Sequence, residues 1–199
     1  MHRQLSFSRL LLKLRRQFLA FYQRCRVLQY QFISDAENTE ISAALNQPVL
    51  LSGQGRIVLK KCNLGVWPSP YYLSGYTHIE ARSAGSEVII GNGVVINNNA
   101  VIIAEKTFIK IGDDTLIGSE FNVYDSDFHG LHPDHRNSGN HLSAGVSIGE
   151  NVFIGSRVTV LKGVAIGNNS VIANGSIVNM DVPANVIAGG VPIRIIREI

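Results

Sequence analysis

The chain has 199 residues, enough for one domain with its own core or one domain plus an appendage. Hydrophobic residues make up 45% and charged residues 17%, which excludes an intrinsically disordered chain. The net charge of +3 hides an asymmetry: Arg3, Arg9, Lys13, Arg15, Arg16, Arg24 and Arg26 precede the first acidic residue, Asp35, leaving eleven basic against fifteen acidic side chains in the remainder, so nucleic-acid binding is not expected.

The first predicted element is a helix from about residue 5 to about residue 30. Phe7, Leu10, Leu11, Leu14, Phe18, Phe21, Cys25 and Leu28 recur at helical spacing, and basic residues occupy much of the other surface. Two readings stand open: adhesion to an anionic membrane surface, or packing on its own or a neighbouring subunit. Lys13, Arg15 and Arg16 break the apolar run, so it is not a secretory signal, and no stretch approaches the roughly 20 apolar residues of a membrane span. Two cysteines, Cys25 and Cys62, make no disulfide framework, and a reduced cytoplasmic setting is expected, with peripheral contact at the inner membrane face if the helix binds lipid. This basic helical segment is assigned residues 1–45, and a β domain is assigned 46–199. Residues 45–85 read as weaker β coils.

From residue 90 the chain keeps a beat of six. Ile90, Ile96 and Ile102 are followed by a slip of about three, then Ile111, Ile117 and Val123. After an interruption come Ile148, Ile154, Val160, Ile166, Ile172 and Val178, with Gly149, Gly155 and Gly167 in phase. A period of six suits short strands joined by tight turns, one aliphatic side chain per strand pointing inward. Three strands make a triangular turn of about 18 residues, and stacked turns bury a continuous column.

The interruption is "DSDFHGLHPDHRNSGNH", residues 125 to 141, which holds four of the six histidines. The loop is taken as 125–145. Its histidines fit three roles: a catalytic base, solvated loop residues (expected for His135 and His141), or a metal site, since His129, His132 and His135 are spaced by three. There is no Walker motif and no G-x-G-x-x-G after a strand. At the end, Pro183, Gly189, Gly190 and Pro192 in "DVPANVIAGGVPIRIIR" stop the coils.

The repeat and that closing segment resemble the hexapeptide-repeat acyltransferases, and within them the galactoside and maltose O-acetyltransferases, over roughly residues 86–199. The resemblance implies a mainly β fold, a left-handed parallel β-helix with an N-terminal amphipathic helix and a protruding loop. It implies a homotrimer, acetyl-CoA as donor substrate, no metal, and a saccharide acceptor. "HGLHPDHR" is similar to the family's catalytic loop, which puts His129 in the place of the general base and Arg136 at the motif's end. Gly130 stands where the family has proline. The base needs a partner for its second ring nitrogen; Asp125, Asp127 or a backbone carbonyl would serve. Asn97, in "INNNAVI", falls where the family's asparagine contacts the acceptor, although all three asparagines also suit corners. Gly118, Gly155, Ser156 and Asn174 match the small corner residues along the donor groove, Phe153 stands in place of a tryptophan, and Arg194 and Arg197 match arginines at the nucleotide phosphates. Met180 replaces a lysine.

The function expected from this resemblance is acetyl-CoA-dependent O-acetylation of a sugar hydroxyl in capsule or O-antigen synthesis. The alternatives are N-acetylation of an amino sugar nucleotide and a non-catalytic trimeric β-helix scaffold.

Overall fold

A computed structural model describes residues 2–199, with side chains described from Ser8 onward. Helix α1 (His2–Ile33) is followed by short strands that wind a column with three faces. Face A stacks Asn38–Ile41, Arg56–Leu59, Glu87–Ile90, Phe108–Ile111, Val146–Ile148 and Ala165–Ile166. Face B stacks Ala44–Leu45, Asn63–Leu64, Val95–Ile96, Leu116–Ile117, Phe153–Ile154, Val171–Ile172 and Val186–Gly189. Face C stacks Val49–Ser52, Thr77–Ala81, Val101–Ala104, Asn122–Tyr124, Thr159–Val160 and Ile177–Val178. Every pairing between coils is parallel; the final strand, Arg194–Glu198, returns antiparallel along Val186–Gly189 and ends face B.

The beat of six is the core. Ile90, Ile111, Ile148 and Ile166 lie in register on face A. Ile96, Ile117, Ile154 and Ile172 do so on face B, and Ile102, Val123, Val160 and Val178 on face C. All twelve are buried. Each fully buried aliphatic side chain contributes about 1.5–3 kcal/mol relative to exposure. Corner residues Val94, Ala100, Phe121, Val152, Val158 and Val164 fill the column between these rows.

The slip in the beat has a structural cause. Between Ala104 and Phe108 the corner from face C to face A is lengthened by Glu105, Lys106 and Thr107. This corner lies in the coil before the one from which the 125–145 loop departs, at the same edge of the column.

The first coil begins at Asn38–Ile41, which pairs with Arg56–Leu59. The column therefore starts inside the segment 1–45 that the sequence pattern assigned to the helix. The strand is hard to see in sequence because "NTEI" is exposed at all four positions. The helix extends beyond the expected bounds at both ends. The side chains of Arg3 and Phe7 lie outside the described residues.

Candidate active site

Two loops leave the column at two different edges. The 125–145 loop leaves where face C passes to face A, between Asn122–Tyr124 and Val146–Ile148. A second excursion, residues 65–76, leaves where face B passes to face C, between Asn63–Leu64 and Thr77–Ala81.

The base of the first loop is fixed by a buried carboxylate. Asp125 is fully buried; its Oδ1 accepts from Glu105 N at 2.7 Å, and its Oδ2 accepts from Lys106 N at 3.1 Å, Thr107 N at 2.7 Å and Thr107 Oγ1 at 2.8 Å. The three-residue slip thus makes a ring of donors around one carboxylate. Above it the two legs of the loop pair: Ala144 N donates to Asp125 O at 2.8 Å, Asp127 N to Leu142 O at 3.2 Å, and Ser126 bridges Ser143. Glu105 forms the next tier. Its Oε2 accepts from the Ser126 hydroxyl and lies 2.7 Å from His141 Nε2, and Arg82 stands 3.8 Å from its Oε1. The His141 contact is close without being aligned as a hydrogen bond, so its attraction is electrostatic when the ring is charged.

Phe128 then turns the chain. Its φ of +60° is in the left-handed region, uncommon for an aromatic residue. The strain is held by Ser126 Oγ on Phe128 N (2.9 Å), by Tyr124 edge-on to its ring (5.7 Å), and by the Arg82 guanidinium 5.1 Å above it. His129 follows and is exposed. Its Nδ1 lies 3.3 Å from Arg136 O. A carbonyl can only accept, so Nδ1 is the donor in this contact, and in the neutral ring the lone pair then falls on Nε2. Among the described residues nothing occupies Nε2. Gly130 is required where the loop doubles back: a Cβ there would collide with His135 O and lie 2.9 Å from His135 C. Glycine here therefore lets the loop double back closely on His135.

The ring partner of His129 is the Arg136 carbonyl, and neither candidate carboxylate takes that part. Asp125 spends both oxygens on the slipped corner, and Asp127 Oδ1 is paired with Lys162 Nζ at 2.7 Å. Asp127 meets His129 only through the backbone, where its carbonyl accepts from His129 N at 2.7 Å. The Arg136 side chain is exposed, with Nη2 3.5 Å from Leu131 O. His135 is exposed, as expected, but the His141 side chain is only 5% exposed, a correction to the solvated role assigned from sequence. Its position beside Glu105 depends on a contact across 36 residues of chain, which no local pattern signals. Among the described residues no group of three or more potential ligands converges on a metal position.

At the other edge the three asparagines separate. Asn98 is buried and pins the second loop: its Oδ1 accepts from Val66 N at 3.0 Å, and its Nδ2 donates to Val66 O and Pro70 O at 3.0 and 2.8 Å. Asn99 takes a left-handed corner at φ +66°. Asn97 is half-buried, its Oδ1 accepts from Asn98 N at 2.7 Å, and its amide nitrogen bonds to no described residue.

The corner residues stack along this same edge. A Cβ at Gly118 would lie 2.5 Å from Ser156 N, and one at Gly155 would collide with Asn174 Oδ1. Asn174 Oδ1 accepts from Ser156 N at 2.9 Å. Coil stacking by itself thus accounts for both glycines and for Asn174. On the outer side of face B, Val95, Leu116, Phe153 and Val171 form a row in register, with Leu116 and Phe153 about half exposed. Arg194 and Arg197 are exposed on the last strand; their guanidinium groups bond to backbone carbonyls and pair with no carboxylate among the described residues. Met180 is exposed.

A family model described as the hexapeptide repeat of succinyl-transferase matches residues 145–179. The chain is 44% identical over 117 residues to galactoside O-acetyltransferase of Escherichia coli (strain K12), across 59% of this chain and 57% of that protein. It thus spans a little over half the length of that curated relative. Among solved structures it is similar to a galactoside acetyltransferase in complex with coenzyme A, at 28% identity and a TM-score of 0.55, over 93% of this chain and 79% of the other. A hexapeptide-repeat acetyltransferase from Vibrio cholerae O1 biovar eltor, in complex with acetyl coenzyme A, shares the fold at 23% identity and a TM-score of 0.56, over 92% and 87%. The column is a left-handed parallel β-helix built on hexapeptide repeats.

Proposed function

We propose that the chain is an acetyl-CoA-dependent O-acetyltransferase that acts on a sugar hydroxyl, with His129 as general base. The observation that carries this reading is the placement of one ring: Nδ1 faces Arg136 O at 3.3 Å, and Nε2 is left open at an exposed turn. A sugar hydroxyl titrates far above neutrality and attacks poorly while protonated. An imidazole lone pair takes that proton as the new C–O bond forms, and positioned bases of this kind are worth typically about 10² to 10⁴ in rate. The imidazolium then returns the proton to the departing thiolate. The donor supplies the activated acetyl group as a thioester. The exposed arginines Arg194 and Arg197, unpaired with carboxylates, suit its phosphates. Phe153, about half exposed on face B, offers an apolar surface for its arm, and the resemblance runs that arm past the corners at Gly118, Gly155, Ser156 and Asn174.

The assembly we infer is a homotrimer. Asn97 sits at the edge between faces B and C, whereas Asp127 and Phe128 anchor His129 at the edge between faces C and A. The strand Val101–Ala104 separates those edges. Four residues of strand span about 13 Å, which sets the two edges well apart on one protomer. We take a site that uses both to draw them from two copies, with the apolar row on face B as a surface the copies could share. We take the acceptor to be a glycan of a bacterial capsule or O-antigen, on the resemblance of the loop and closing segment.

Thiol release from acetyl-CoA, measured against a panel of oligosaccharides and sugar nucleotides, tests the proposal. His129→Ala lowers kcat at least a hundredfold with oligomer mass and acetyl-CoA binding unchanged. Wild-type turnover in that variant would end the assignment.

A further inference from the structure

Helix α1 carries a stripe that its own subunit does not cover. The helix has 32 residues and is about 48 Å long. Polar groups and one aromatic contact anchor it to the column. Gln23, its buried residue, donates from Nε2 to Asn46 O and Tyr72 O, both at 3.0 Å. Arg26 donates to Tyr72 O at 3.0 Å and Gly75 O at 2.7 Å, and the Tyr30 ring lies 4.9 Å from that of Tyr76. Leu19, Gln23, Arg26 and Tyr30 thus make the inward face. At 100° per residue, Leu14, Phe21, Cys25, Leu28 and Phe32 fall on the far side, with Phe18 and Leu11 along one border of the same stripe. Phe18 and Phe21 are each 68% exposed and Phe32 is 89% exposed. An apolar stripe of this length facing away from the core needs a partner.

Charge selects the partner. No acidic residue precedes Asp35, so the helix itself supplies no carboxylate beside the stripe. Arg15 borders it on one side, and Lys13 and Arg24 on the other. Helices of several copies packed along the stripe would gather these cations with nothing on the helix to pair them. An anionic lipid surface satisfies the cations and the apolar side chains together. We propose that α1 is an interfacial helix that lies flat on a membrane rich in anionic lipid, with Leu14, Phe18, Phe21 and Leu28 in the boundary between headgroups and acyl chains. This inference is independent of the acyl-transfer reading.

Cys25 lies within the stripe and is exposed, while Cys62 is buried in the column, so one thiol reports on the stripe and the other on the fold. The test uses the full chain, phosphatidylcholine vesicles with and without phosphatidylglycerol, flotation, maleimide labelling and oligomer mass. The expected result is flotation with the anionic vesicles alone, and Cys25 labelled freely in solution but shielded several-fold by those vesicles. Lys13→Gln with Arg24→Gln lowers partitioning about 25-fold, at roughly fivefold per basic residue near the headgroups. Phe18→Glu with Phe21→Glu abolishes flotation while Cys62 stays protected and the mass is unchanged. Absence of flotation overturns the proposal. So does a Cys25 that resists labelling without lipid, or a fall in mass in the Phe18/Phe21 variant, since either means that another copy of the chain covers the stripe.

Discussion

Replacing Asp125 by asparagine separates two roles for a residue at the base of the 125–145 loop. In the structure its carboxylate accepts four hydrogen bonds, all from Glu105, Lys106 and Thr107. An asparagine keeps one oxygen. In its better orientation that oxygen serves the three donors at Oδ2, and the new amide group faces Glu105 N. One buried N–H is then orphaned at about 1–3 kcal/mol, and the other bonds lose their charge assistance. The sum is about 3 kcal/mol, equivalent to a fall of roughly 6–12 °C in Tm for a chain of this size. Equilibrium urea denaturation and a thermal melt read the loss, and steady-state kinetics at a temperature where the variant stays folded read kcat. A loss of stability below about 1 kcal/mol, together with a hundredfold drop in kcat, would refute the structural role and return Asp125 to the chemistry.

Other substitutions probe the same architecture. Gly130→Ala drives a Cβ into His135 O, so the loop must open; kcat should fall at least tenfold while Tm moves little, because the loop lies outside the column, and an unchanged kcat would contradict the tight turn. Ile154→Ala, between Ile117 and Ile172, should cost about 3–4 kcal/mol in a denaturant titration, since parallel ladders on both sides keep the cavity from collapsing. Glu80 is held below the usual carboxylate range by its hydrogen bonds to Arg82, assisted by His78, against the upward pull of burial. Its contribution is therefore complete above the ordinary carboxylate pKa and is lost as pH falls through the lower folded value; Glu80→Gln should flatten that acid limb of the stability profile, and an identical acid transition would disprove the link.

Reach along the chain divides what could be read early from what could not. The beat of six is a local property, since a parallel coil places one inward aliphatic at each face whatever the distant partners. Ile90 through Val178 thus announced the column, its corners and the place where a loop breaks out. The helix was visible for the same reason, because a period of 3.6 needs only neighbours within two turns. The direction of its apolar stripe was not, since Gln23 and Arg26 are fixed by carbonyls at Asn46, Tyr72 and Gly75. Within "INNNAVI" the repeat aligned Asn97, but only the contacts of Asn98 with Val66 and Pro70 show that the middle asparagine is a pin.

For the candidate site the division is sharper. The clustering of histidines marked the loop, and the resemblance of "HGLHPDHR" to the family's loop marked His129 within it as the imidazole worth testing. Its contact with the Arg136 carbonyl, the diversion of Asp125 to the slipped corner, the Lys162 partner of Asp127 and the burial of His141 beside Glu105 were decided by tertiary structure. The physical reason is that hydrogen bonds and ion pairs depend on distances of a few ångströms between groups that lie from seven to 36 residues apart. A side chain's identity states which bonds it can make, and only the folded column states which of them are within reach.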